Sequence, residues 1–152
     1  MAKIYRITPF VRISNAVVAA LLRRGVPIGS NALLTVPGRK SGQPRTTPVT
    51  LLERDGERWL QSPFGDVNWV RNLRAAGEAT LTRGRHSEPI SVVELSPAEA
   101  APIYKGALAS FPSMIRDYFD VTPDSPLEAF EGEAPRHPMF RVVAKKTAPM
   151  HR

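Results

Sequence analysis

Residues 38–48, Gly38-Arg39-Lys40-Ser41-Gly42-Gln43-Pro44-Arg45-Thr46-Thr47-Pro48, gather the side chains of this chain best suited to holding an anion. Arg39, Lys40 and Arg45 place three cations within seven residues, and Ser41, Thr46 and Thr47 add hydroxyl donors. Gly38 and Gly42 free the backbone for tight turns, so amide N–H groups can converge beside the charges. Charged donors to phosphate or carboxylate form the stronger class of hydrogen bond. The stretch is not a P-loop, because it lacks the upstream glycine and the glycine before lysine that the motif needs. The same pattern also describes a solvated basic hairpin, and spacing alone leaves both readings open.

Other reactive sets are thin. His86, His137 and His151 are far apart in sequence with no i, i+4 histidine pair, so no metal site is expected. The chain has no cysteine, which removes disulfides, thiolate nucleophiles and cysteine metal sites. No nucleophile elbow accompanies its serines. Without a protein nucleophile or a metal, redox chemistry carried by a bound cofactor becomes the attractive class. No GxGxxG occurs, so a dinucleotide fold is not expected.

The elements that must position the basic turn read as strands joined by hairpins. Residues 31–36 are an apolar run, and residues 47–52 alternate on the far side of the turn. Pro48 cannot donate a ladder bond and marks an edge or bulge. Asp55-Gly56 is a hairpin turn returning through residues 58–62, with Trp59 in a core or interface. Asp66 is the expected N-cap of a helix over residues 67–76 that Gly77 ends. Val67, Val70 and Leu73 form its buried stripe. Trp69 and Asn72 are three apart and share a neighbouring face; plain packing and a capping bond are their ordinary roles.

Residues 79–83 and 85–95 form a second hairpin through Gly84. Ser96-Pro97-Ala98-Glu99 is a capping box opening a helix to about Leu108. Phe111-Pro112 breaks it, and residues 113–119 add a turn or two. Residues 120–138, rich in proline and acid, read as a long loop or lid. Residues 139–144 are the last strand. Before all this, residues 9–24 read as an amphipathic helix with Arg23 and Arg24 at its end, packed on the body or lying on anionic membrane. Hairpins with a few helices predict a small antiparallel barrel, α+β and mainly β.

A length of 152 residues is one domain on the length prior, with the barrel over residues 31–145. The net charge of +7 is uneven: eight basic side chains precede the first acidic residue, Glu53. Such a field attracts polyanions, including a phosphorylated cofactor or anionic lipid. Nucleic acid is not expected, since no stacking aromatics interleave with the cluster and no DNA-binding motif is visible. The apolar run 16–22 is short and leads into Arg23-Arg24 rather than a cleavage site, so the cytoplasm is the expected location.

Residues 38–48, following Leu33-Leu34-Thr35, resemble the signature of the deazaflavin-dependent nitroreductase family, and Asn68-Trp69-Val70-Arg71-Asn72-Leu73 is similar to that family's helix. The similarity runs from about residue 31 to 141. It implies a split β-barrel of the FMN-binding type that binds coenzyme F-420, and a hydride transfer to a small quinone, enone or nitro acceptor. It further implies that Arg39, Lys40, Ser41 and Arg45 meet the anionic tail. Thr46, Thr47, Pro48 and Ser62 would line the ring, with Trp69 and Asn72 backing the pocket. Tyr118 would donate the proton, because it follows Phe111-Pro112-Ser113 where the family places its tyrosines.

Three departures bear on the acceptor. Thr50 stands where relatives often carry an aromatic, Ser62-Pro63-Phe64-Gly65 lacks a lysine, and Met114 stands where another tyrosine would. They point away from nitro-compound reduction and leave quinones and enones. Two alternatives remain: an FMN-binding oxidoreductase using the same cations, and a non-catalytic cofactor or lipid binder. Relatives of this barrel type often form homodimers.

Overall fold

The computed structural model describes residues 31–145. The predicted helix over residues 9–24 and His151 lie outside that range. Six strands form a closed antiparallel barrel: β1 (Asn31–Pro37), β2 (Pro44–Arg54), β3 (Glu57–Gln61), β4 (Glu78–Arg83), β5 (His86–Glu94) and β6 (Met139–Ala144). Their order around the barrel is β1-β2-β3-β6-β5-β4, closed by β1 against β4. This is the split-barrel class that the hairpin series predicts.

Alternation decides the two faces of each strand. Ala32, Leu34 and Val36 of β1 enter the barrel with Leu51, Leu60, Leu81, Ile90 and Phe140. Helix α1 (Asn68–Ala76) adds Val70 and Leu73 to this core. Gly77 ends α1 in the left-handed region, its N–H donating to Leu73 O at 2.8 Å. The expected N-cap is corrected: Val67 occupies that position without a side-chain cap, and Asp66 instead pairs with Arg74 at 3.1 Å. A guanidinium already held by Glu94 at 2.7 Å draws the carboxylate away from the helix end.

A second core covers the outer face of β3 and β6. Trp59 and Met139 pack there against α2 (Pro97–Ala107), which opens with the expected Ser96–Glu99 capping box. One helical turn, α3 (Ser113–Arg116), follows Pro112. Residues 120–138 are not a structureless lid. They contain α4 (Leu127–Glu133) and a 3₁₀ turn, Ala134–Arg136. Phe130, Glu133, Ala134 and His137 are buried, and their spacing of three and four makes the helical stripe that the proline and acid content obscured.

The β2–β3 hairpin sets the cavity. Asp55 and Gly56 both take positive φ, 52° and 79°, as a tight two-residue turn requires. β2 is 11 residues long and β3 only five, so the register from Thr50↔Gln61 to Arg54↔Glu57 leaves the first half of β2 paired with β1 alone. Pro48 falls in that half, where an edge tolerates a residue without an N–H. The gap left beyond the end of β3 is where the site opens.

Candidate functional site

A cavity of about 740 Å³ lies between the free half of β2, the 38–42 turn, the segment after β3 and one side of α1. Arg39, Lys40, Ser41 and Arg45 line one end. Gly38 N–H donates to Gln43 O and Gly42 N–H to Gly38 O, both at 2.8 Å, and Gly42 takes φ 73°. This folds the turn so that the three cations share one rim. Among the described residues lining the cavity there is no carboxylate, so nothing on its wall neutralises them.

Asn72 on α1 is buried and fixes the turn: its Oδ1 accepts from Arg39 N–H at 3.1 Å and from Arg39 Nη1 at 2.8 Å. Residue spacing suggested a generic capping bond for Asn72 and the resemblance a place behind the pocket; neither pointed to Arg39. Trp69, one helical turn away, lines the cavity and reaches Phe140 of the barrel core at 6.2 Å between ring centroids. Thr47 and Pro48 line the β2 side, and Ser62 the opposite side.

Two predicted residues lie elsewhere. Thr46 is off the cavity wall, its hydroxyl within 2.9 Å of Thr35 Oγ1 on β1. Thr35 is its cross-strand partner, and the two hydroxyls meet on the exposed side of the sheet. Tyr118 is not in the lining either; it packs edge-on to Phe64, which is, at 5.0 Å and 75°.

The segment after β3 is held from behind. Ser62 Oγ donates to Gly65 O at 2.7 Å, and Ser62 N–H to Pro138 O at 2.9 Å. His137, buried, places Nδ1 2.8 Å from Pro63 O and Nε2 2.5 Å from Glu133 Oε2. Burial pushes its imidazole below the ordinary histidine range, while the hydrogen bonds to Glu133 and Pro63 pull the other way. The Phe119 ring stacks on it at 3.8 Å, and Tyr104 donates to its carbonyl at 2.7 Å. Sequence reasoning treated His137 only as one of three scattered histidines. The signal was Glu133–His137 at i, i+4, visible once that segment is read as helix. Phe64, Val67, Asn68 and Ile115 are further wall residues that the sequence did not single out as site residues. Among the described residues no group of three or more His, Asp and Glu could hold a metal.

A six-stranded antiparallel barrel with a cation-rimmed cavity at the end of its second hairpin strand defines the split-barrel class. Solved structures that share the fold include the following three. One, described as a domain-swapped dimer, is 20% identical with a TM-score of 0.55, covering 90% of this chain and 100% of that one. An F420-H2 dependent reductase is 21% identical with a TM-score of 0.52, covering 76% and 95%. A conserved hypothetical protein from Mycobacterium tuberculosis is 16% identical with a TM-score of 0.52, covering 95% and 87%. No curated protein matches the chain. The model of the F420H(2)-dependent quinone reductase family matches residues 6–124, and the chain belongs to that family. It is therefore an oxidoreductase whose cofactor is F-420, and the FMN alternative is not needed.

Proposed function

We propose that this protein reduces a small quinone with reduced F-420, holding both in the 740 Å³ cavity. The observation that carries this reading is the cavity's polarity: three cations and no carboxylate among its described lining, with Pro48, Phe64 and Trp69 as flat apolar wall. The volume lies within the range of about 300–1,000 Å³ usual for small-molecule sites. A flat ring with an anionic tail matches that division.

In this reading Arg39, Lys40, Ser41 and Arg45 hold the tail, and Thr47, Pro48 and Ser62 flank the ring. Thr46 steadies β2 from the outer face through Thr35. Trp69 and Asn72 back the site, Asn72 by fixing Arg39. The cofactor supplies a hydride when bound. Quinone reduction to hydroquinone takes that hydride and one proton, and the protein's work is to align the reactants and exclude water. Tyr118, packed on Phe64 off the cavity wall, supplies the proton through a bridging water. One domain carries the site, with the barrel over residues 31–145. The protein works in the cytoplasm as a homodimer. Among the described residues no helix is long and apolar enough to cross a membrane.

The test has two parts. Protein mixed with F-420 and passed through a desalting column should retain the cofactor's absorbance, and FMN run in parallel should not be retained. Reduced F-420 should then be oxidised faster with a quinone than with an enone or a nitro compound. Elution without cofactor, or a nitro preference, would sink the reading. Tyr118→Phe should lower kcat by about 10²-fold, the low end for general-acid help because water can substitute. Its F-420 dissociation constant should stay unchanged.

A further inference from the structure

Gln61 is the last residue of β3 and pairs across the sheet with Thr50 and with Met139. It lines the cavity, yet only 2% of it is exposed. Among the described residues its Oε1 is buried with no hydrogen-bond partner. A carboxamide carries two donors and an acceptor with two lone pairs, and native folds rarely leave such a group unmatched. Packing does not explain it. Its cross-strand neighbour Met139 belongs to the apolar second core, so a leucine or methionine would suit position 61 as filler.

Its place in the cavity narrows what it is for. The cations stand at Arg45 and before it, and Thr50, opposite Gln61, lies five residues further along β2. At about 3.3 Å per residue the two ends are about 16 Å apart. A ligand whose tail sits at the cationic rim therefore brings its ring toward Gln61. The pyrimidinedione edge of a deazaflavin presents carbonyl oxygens beside a ring N–H, the complement of an amide. A turn about the last torsion of Gln61 presents either its oxygen or its nitrogen.

We propose that Gln61 is a ring-recognition residue, hydrogen-bonding the dione edge of the deazaflavin at the floor of the cavity. This rests on the F-420 reading above. Gln61 is a site of latent mismatch in the free protein and of specific recognition in the complex.

The experiment pairs affinity with the stability of the free protein. Gln61→Met should weaken F-420 and a tail-less deazaflavin by the same factor, about tenfold, as loss of a buried hydrogen bond does. The melting temperature of the ligand-free variant should be unchanged or raised, because an unmatched polar group has been replaced by an apolar one. In the wild type, the ¹⁵N-labelled side-chain amide signal of Gln61 should shift on adding the tail-less deazaflavin. That measurement stands even if the variant folds poorly. Unchanged affinity for both ligands, a loss confined to F-420, or an unmoved amide signal would overturn the proposal. A wild-type protein that fails to bind F-420 overturns the function above and this inference with it; a wild type that binds, with variants that bind equally, overturns this inference alone.

Discussion

The two long walls of the cavity are built on opposite plans. The cationic wall is contiguous in sequence and exposed, and its turn is closed by bonds spanning four or five residues, Gly42 N–H to Gly38 O and Gly38 N–H to Gln43 O. The facing wall, Ser62 to Gly65, is held by residues more than 70 positions away, through Pro138 and through His137 with Glu133 behind it. The first wall contributes charge to a ligand and little to the fold. The second contributes shape, and its supports lie in the helical core rather than in the cavity. Binding energy and geometric precision are thus separable here, and mutations should separate them.

The largest effect should come from breaking the second wall. His137→Ala removes one partner of the buried Glu133 carboxylate, leaving it Arg136 at 3.3 Å, and frees Pro63, so stability should fall by about 3 kcal/mol, the low end for a buried pair that loses one member. F-420 affinity should fall with it, for the full cofactor and for a tail-less deazaflavin alike. Denaturant unfolding measures the first and titration the second. A variant of native stability would mean that this wall is not held from behind.

Asn72→Leu attacks the hydrogen-bonded link between α1 and the cationic wall. It leaves the Arg39 N–H and guanidinium without their acceptor, a loss of about 2 kcal/mol for bonds to a charged donor. F-420 binding should weaken by more than tenfold, because Arg39 no longer faces the rim. Lys40 is exposed and sits at the tip of the turn, so Lys40→Ala should weaken F-420 about tenfold through one charge-assisted contact. Its free-protein melting temperature should not move, and the tail-less deazaflavin should bind as before. Equal losses for both ligands would place the tail elsewhere.

The same division governs what the sequence showed. Local chemistry was legible: the 38–48 turn, the Asp55-Gly56 hairpin, the capping box at Ser96 and the strand at 139–144 each depend on neighbours in the chain. Three-residue spacing placed Trp69 and Asn72 on neighbouring faces of α1, and the resemblance alone singled them out. What was not legible depends on contacts between distant segments. Gln61 reads as an ordinary strand residue until the register sets it opposite Thr50 and the short β3 leaves it at a cavity floor. Residues 120–138 read as loop because Pro123, Pro126, Pro135 and Pro138 outweigh the stripe at Phe130, Glu133, Ala134 and His137. Thr46 was placed at the ring by resemblance, whereas the β1–β2 register pairs it with Thr35.

The smallest effect tests whether the support behind the second wall is as dry as its packing implies. Tyr104 is 1% exposed, donates to His137 O at 2.7 Å and packs against Phe111 and Phe119. Burial pushes its phenol well above the ordinary tyrosine value. The unfolded chain ionises near pH 10 and the folded one does not, so above that pH the unfolded state holds fewer protons and gains on the native state. The stability Tyr104 provides is therefore complete below about pH 10 and declines as pH rises toward the folded value. Tyr104→Phe should cost about 1 kcal/mol at neutral pH for the lost hydrogen bond. Its stability should then fall less steeply above pH 10 than that of the wild type, and the two curves should converge. Parallel curves through the alkaline range would show that water reaches the phenol in the native state, and that the wall is braced by packing around His137 rather than by a sealed hydrogen-bonded core.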